Sequence, residues 1–309
     1  MDKYIVKKLY GYQEKIDELK YLYINKRLPK DILFSGVEGV GKSILAFHLV
    51  NIILSENEDN EYDIKNYQIN ENNKSFKLLA SNTHPNFYLL KKYDDKKNIE
   101  ISQIRELKNF VYKSSLLNKP KIVFIDSAEH LSVNSSSAIL KIMEEHIQNI
   151  FFFIIYSKNK FLIDTVKSRC VEYSLSLSNE YIENIINDYF DRDIYNNIPN
   201  IFKKLYLTPL NYVNLINFCR NTNLSLETLN LDKIVKVIVK DNLYKSNKVS
   251  YDEIKFYIEL YCHNEFIHKK KINVFKYFHH FNKNYSDAIK YNLDVDPVFL
   301  ELETNLLSK

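Results

Sequence analysis

Cysteine is scarce in this sequence: among 309 residues only Cys170, Cys219 and Cys262 are cysteines, far apart and in no CxxC or Cys/His cluster. Such spacing argues against a disulfide framework or a zinc site, and it fits a reducing compartment. Long apolar runs are missing too. No stretch approaches the ~18 residues of a membrane span, and the opening MDKYIVKKLYGYQEKIDELK has no apolar signal-peptide core. A cytoplasmic protein without membrane contact is the expectation. Net charge is only +4, so the overall balance does not mark a nucleic-acid binder. Glycine is the most informative shortage. Average usage near 7% gives about twenty in this length, yet there are 4: Gly11, Gly36, Gly39 and Gly41. Three of them fall within six residues. A chain this poor in glycine keeps it where the backbone needs positive φ or a close approach.

What is present is ordinary globular material, 45% hydrophobic and 27% charged, in a length suited to two or three domains. Helical spacing of Ile16, Leu19 and Tyr23 predicts a helix over 13–25. DILFS at 31–35 predicts a strand, and 43–54 an apolar helix. Residues 55–83 are polar and rich in Asn, Glu and Lys; they read as an exposed, variable or disordered insertion with at most one helix near 75–81. Strands are then expected at 87–90, 121–126, 150–157 and 171–175, with helices at 104–112 and 135–145. Apolar strands alternating with helices imply a parallel sheet covered on both faces. Beyond residue 175 only helical periodicity remains, and a boundary is expected near 174.

Gly36-Val37-Glu38-Gly39-Val40-Gly41-Lys42-Ser43 fits GxxxxGK[ST] in full, between a strand and a helix. In that context the loop's backbone N–H groups, backed by the positive helix end, cradle phosphates. Lys42 would reach the β- and γ-phosphates and Ser43 would hold Mg²⁺ through its hydroxyl. The apolar strand ending in Asp126 supplies the second magnesium-site acid. Ser127 follows it, and serine is a poor base for activating water. Glu129, two places further on, reads as a solvated glutamate pointing elsewhere.

Several stretches together carry a resemblance: LYGYQ, NKRLPKDILFSGVEGVGKS, THPNFYLL, ISQIRELKNFV, KIVFIDSAEHLSVNSSSAILKIMEEH and FIIYSKNKFLIDTVKSRCVEY. From about residue 9 to 175 the sequence resembles the δ′ subunits of the bacterial DNA polymerase III clamp loader, a family of AAA+ proteins. The ISQIR helix, the SSAILKIMEE helix and the KSRC ending are its specific part. The resemblance implies an α/β fold, with an AAA+ P-loop domain over 1–173, a small helical lid over 174–222 and an all-α collar domain over 223–309. It implies ATP or ADP with Mg²⁺ as cofactors, Ser157 at the sensor position, and Arg169 of Ser168-Arg169-Cys170 as a finger projecting toward ATP held by a neighbouring subunit. The implied partners are the motor (γ/τ) and δ subunits, the sliding clamp and, through the hetero-oligomer, primer–template DNA. The implied setting is a DNA-directed DNA polymerase holoenzyme.

Departures from the family pattern predict weak or absent intrinsic ATPase activity. The glutamate is missing at Ser127, and Asn211 stands in YLTPLNYVNL where ATP-using relatives often carry arginine. The zinc-binding cysteines found in many relatives are missing from 51–86. A self-contained P-loop ATPase or nucleotide kinase is the alternative; the arginine-poor helical part, with Arg192 and Arg220 alone, speaks against a kinase lid. The basic runs Lys91-Lys92, Lys96-Lys97 and His268 to Lys271 read as solvated faces. His279-His280 reads as surface, His84 as structural, and the stripe Phe275, Tyr277, Phe278 and Phe281 as core or helix interface.

Overall fold

The computed structural model describes residues 6–93, 96–113, 119–145, 147–245, 249–269, 272–291, 293–302 and 304. One compact unit comprises Met1–Ile185 with Thr208–Leu210, and a second comprises Ile186–Leu207 with Asn211–Lys309.

The first unit is built on a five-stranded parallel sheet. Its elements in chain order are α1 (Gln13–Ile24), β1 (Asp31–Gly36), α2 (Lys42–Leu54), α3 (Lys74–Ala80), β2 (Phe87–Leu90), α4 (Ile101–Tyr112), β3 (Lys121–Ile125), α5 (Val133–Glu144), β4 (Ile150–Ser157), α6 (Asp164–Lys167) and β5 (Val171–Leu175). The strands lie in the order β2-β3-β4-β1-β5. Parallel pairing explains why β3 and β4 are near-continuous apolar runs, since both sheet faces are covered. β3 is buried at every position, and edge strand β5 is mostly exposed. The register Gly36↔Ser157 sets the ends of β1 and β4 side by side. α2 is apolar on all sides, with Leu45 through Leu54 buried. Glu100 and Gln103 close the start of α4 reciprocally, and the Ser132 hydroxyl accepts from Ser135 N–H at 3.1 Å to start α5. Both helices therefore begin earlier than apolar spacing alone predicts, because the first turn is specified by caps.

The polar insertion is the main difference from expectation. Residues 55–83 pack against the unit, with Tyr62, Ile69 and Phe76 buried. Their backbone pairs with the N-terminal segment, Leu9 N–H donating to Tyr67 O and Ile69 N–H to Lys7 O. The buried His48 donates from Nε2 to Val6 O at 2.9 Å, which leaves Nδ1 to accept from the Tyr62 hydroxyl at 2.8 Å. Glu58 takes hydrogen bonds from Ser75 N–H at 3.0 Å, from the Ser75 hydroxyl at 2.6 Å and from Lys119 at 3.0 Å. His84 joins this network through Ser75, Nε2 to Oγ at 3.2 Å. Order here comes from three apolar anchors and satisfied polar side chains, which mean composition hides. Among the described residues no group of three or more His, Cys, Asp or Glu is placed to hold a metal.

The second unit is helical: the end of α7 (Asn179–Tyr189), α8 (Asn200–Lys203), most of α9 (Pro209–Thr222), α10 (Leu231–Lys240), α11 (Tyr251–Lys269), α12 (Ile272–Tyr291) and α13 (Asp296–Leu302). Aromatic contacts organise its core. Tyr244 stacks on Phe299 at 4.0 Å between ring centroids, and Phe281 stacks on Tyr285 at 5.3 Å. Of the predicted aromatic stripe, Phe281 is buried while Tyr277 is exposed; the side chain of Phe275 and those of the basic run 268–271 lie outside the described residues. His279 and His280 are exposed. No described helix is long and apolar enough to cross a membrane.

Candidate functional site

The phosphate loop is held from several directions. Tyr12, just before α1, donates its hydroxyl to Val40 O at 2.7 Å. Gly41, at φ 93°, begins α2 in a left-handed conformation, so the first turn of an apolar, buried helix is presented to the loop. Gly39 is constrained twice over: its φ is 84°, and a Cβ there would lie 2.5 Å from Thr208 Oγ1 and 2.6 Å from Leu210 Cβ. Glycine alone fits such a position. Val37 and Glu38 stand exposed on the outer turn of the loop, whereas Gly36 and Val40 are buried.

Lys42 is buried. Its ammonium donates to Gly36 O at 3.1 Å and Val37 O at 2.7 Å, and to Ser157 Oγ at 3.4 Å. Burial pulls its pKa below the usual lysine range, while Glu129, Glu38 and Asp126 act against that fall and Lys160 adds to it. Four charged side chains therefore act on one ammonium. Ser43 stands beside Lys42 in the first turn of α2. Asp126 follows β3 as a buried residue, its N–H continuing the sheet ladder to Leu90 O at 2.9 Å. The structure thus brings Gly36 through Ser43, Asp126 and Ser157 to one end of the sheet, at the carboxyl ends of β1, β3 and β4, where parallel α/β sheets bind ligands.

Two neighbours of Asp126 differ from what residue type suggests. Ser127 adopts φ 61°, ψ 65°, a left-handed conformation uncommon outside glycine and asparagine, and its hydroxyl lies 3.4 Å from Asp126 Oδ1. Glu129, read from sequence as a solvated residue, is turned inward instead. Its side chain is only 3% exposed and lies 3.8 Å from Lys160 Nζ, with Ser157 N–H donating to its Oε2 at 3.4 Å. The short 3₁₀ turn at Ala128–His130 aims Glu129 back toward the end of β4, which its spacing from the strand does not disclose. Lys160 also pairs with Glu38 at 3.2 Å. Sequence reading missed this lysine, whose only signal is its place three residues beyond Ser157.

A nucleotide polyphosphate with Mg²⁺ fits these residues. The loop turns tightly through left-handed Gly39 and Gly41 into the first turn of α2. An ammonium sits at its centre, and a hydroxyl and a buried carboxylate are available to the metal. Asn211 falls in the second unit, within α9.

Arg169 stands apart from this cluster. It follows α6, and its guanidinium donates to Thr165 O at 3.1 Å and pairs with Glu144, the last residue of α5. Both partners are substantially exposed, 39% for Arg169 and 50% for Glu144. Cys170 next to it donates to Val166 O at 3.2 Å, and burial pushes its thiol up to about 12, which marks it as a packing residue. The lysines of the β2–α4 connection are solvent-side: Lys96 pairs with Glu100 at 3.2 Å.

A family model described as DNA polymerase III, delta subunit, matches residues 11–179. The DNA polymerase III subunit delta′ of Pseudomonas aeruginosa is 31% identical over 145 residues, covering 47% of this chain and 42% of that protein. A replication factor C small subunit from Methanosarcina acetivorans is 29% identical over 175 residues, 56% of this chain and 44% of that protein. The match spans less than half the length of these two relatives. A solved Thermotoga maritima DNA polymerase III gamma subunit-related protein is 16% identical at a TM-score of 0.49, covering 92% of this chain and 96% of that one.

Proposed function

This chain belongs to the DNA polymerase III delta-prime family of clamp-loader subunits, and from that membership we propose that it works in a clamp-loading assembly, binding a nucleotide it scarcely turns over and lending Arg169 to a nucleotide held by the subunit beside it. The observation that carries the reading is the separation of two groups. Lys42 and its acids form one buried site, whereas the half-exposed Arg169 guanidinium donates to Thr165 O and pairs with Glu144. A guanidinium so placed serves a phosphate outside its own chain.

A nucleotide with Mg²⁺ would supply the charged polyphosphate that this loop holds, largely uncleaved. Lys42 would exchange the carbonyls of Gly36 and Val37 for phosphate oxygens, Ser43 and Asp126 would hold the metal, and Ser157 would offer its hydroxyl to the phosphates. Ser127 provides no base. The partners follow from family membership: motor and δ subunits, the sliding clamp and primer–template DNA. The helical part is proposed to divide into a lid over 174–222 and an oligomerising collar over 223–309.

One observation favours a second reading, an autonomous ATPase: Glu129 faces the site. Its carboxylate is engaged by Lys160 and by Ser157 N–H, so it acts as a fixed charge rather than a free base. Steady-state ATP hydrolysis by the purified chain separates the two. The assembly reading expects negligible turnover alone and strong, Arg169-dependent stimulation when motor and δ subunits are added; brisk turnover by the lone chain overturns it.

A further inference from the structure

The turn after β4 carries a cation that the phosphate-loop motif does not include. Lys160 has its backbone fixed on both sides: its N–H donates to Ser157 O at 2.9 Å, and its carbonyl accepts from the hydroxyl of buried Tyr156 at 2.8 Å. Its flexible side chain reaches two acids that differ in character. Glu129 is buried and held by Ser157 N–H; Glu38 is on the outer turn of the phosphate loop, and its side chain is 55% exposed.

A carboxylate in the middle of an anion-binding loop repels the phosphates the loop is built to hold. Lys160 neutralises Glu38, and a partly exposed ion pair of this kind is weak and readily exchanged. A terminal phosphate carries more charge than Glu38 and would lie between the loop and the end of β4, within the sweep of a lysine anchored there. A diphosphate lacks that group and leaves the lysine on Glu38.

Resting on the nucleotide-site reading above, we propose that Lys160 is a nucleotide-selecting residue, which exchanges its Glu38 partner for the terminal phosphate of a nucleoside triphosphate and so makes the site prefer triphosphate over diphosphate. Glu129 keeps the ammonium poised during the exchange.

The test is calorimetric titration of the full chain with Mg²⁺ and either ADP or a slowly hydrolysed ATP analogue. Lys160→Gln is expected to weaken the triphosphate by roughly tenfold, the loss of one charge-assisted hydrogen bond, with ADP changed by less than about twofold. Glu38→Gln is expected to strengthen the triphosphate severalfold, and it probes the same exchange without touching the lysine. Equal losses for both nucleotides in Lys160→Gln, or unchanged triphosphate binding in both variants, overturn the selecting role while leaving the nucleotide site intact. Failure of the unaltered chain to bind either nucleotide removes the nucleotide site itself.

Discussion

The phosphate loop and the Arg169 corner lie in the same structural unit and follow opposite physical rules. The loop is over-determined: two left-handed glycines, a tyrosine strut from Tyr12 and a buried ammonium with acids on several sides leave it a single geometry. The corner is under-determined. A four-residue helix ends there, and its arginine is held by one exposed ion pair and a hydrogen bond to Thr165 O. A site that must keep charge ready in a dry pocket needs rigid support, because an unpaired buried ion is costly. A side chain that must leave its own chain to meet a neighbour's phosphate needs the reverse.

The largest effect belongs to the corner. Arg169→Ala is expected to lower ATP turnover at the neighbouring subunit's site by about 10³- to 10⁵-fold, the range attributed to such fingers, while thermal melting of the isolated chain stays within about 2 °C of the original. A complex carrying Arg169→Ala that hydrolyses at the normal rate would erase the contrast between the two regions.

Lys42→Ala tests the other region. Removing an ammonium that offers several charge-assisted bonds should weaken nucleotide binding by roughly a hundredfold, seen as loss of a calorimetric signal. Stability should hold or rise slightly, since the substitution also removes a partly desolvated charge. Marked unfolding would mean that Lys42 is a structural staple for Gly36 and Val37 rather than a phosphate ligand.

Rigid support beneath the loop has its own pH signature. His48, on α2, is enclosed by Tyr62 and Val6 O, and burial pushes its pKa down to about 4 from 6.5. The unfolded chain takes up a proton below pH 6.5 that the folded chain refuses until about pH 4. Stability is therefore fully present above 6.5 and drains as pH falls through that window, by on the order of 2 kcal/mol at pH 5. Urea unfolding of the original chain and of His48→Gln at pH 7 and pH 5 measures this; a variant that keeps the full pH dependence would assign it to other groups.

The central strands were legible because parallel, doubly covered strands leave continuous apolar runs, as at 150–157; the edge strands 87–90 and 171–175 also fall where the sequence predicts them. The phosphate loop was legible because so few glycines had to be explained. Where specification is by polar contact, reading from residue type failed. Residues 55–83 read as a loose insertion and are ordered by hydrogen bonds among Glu58, Ser75, His84 and Lys119. Glu129 read as solvated and faces inward, because a three-residue 3₁₀ turn reverses its direction. Lys160 was not seen at all. Each of these depends on a partner distant in sequence, and local periodicity carries no record of it.

The smallest effect tests what holds Arg169 in the free chain. Glu144→Gln removes the charge of an exposed pair, so the isolated chain should lose no more than about 0.5 kcal/mol in urea unfolding. In the assembled complex the two views of the corner diverge. If Glu144 only parks the guanidinium until a neighbour's phosphate outbids it, turnover should stay within about twofold of normal or rise slightly, because the arginine starts from a less occupied state. If turnover instead collapses as it does in Arg169→Ala, Glu144 is positioning the finger in the active assembly. The corner would then be as tightly specified as the phosphate loop, with its rigidity supplied on assembly rather than on folding.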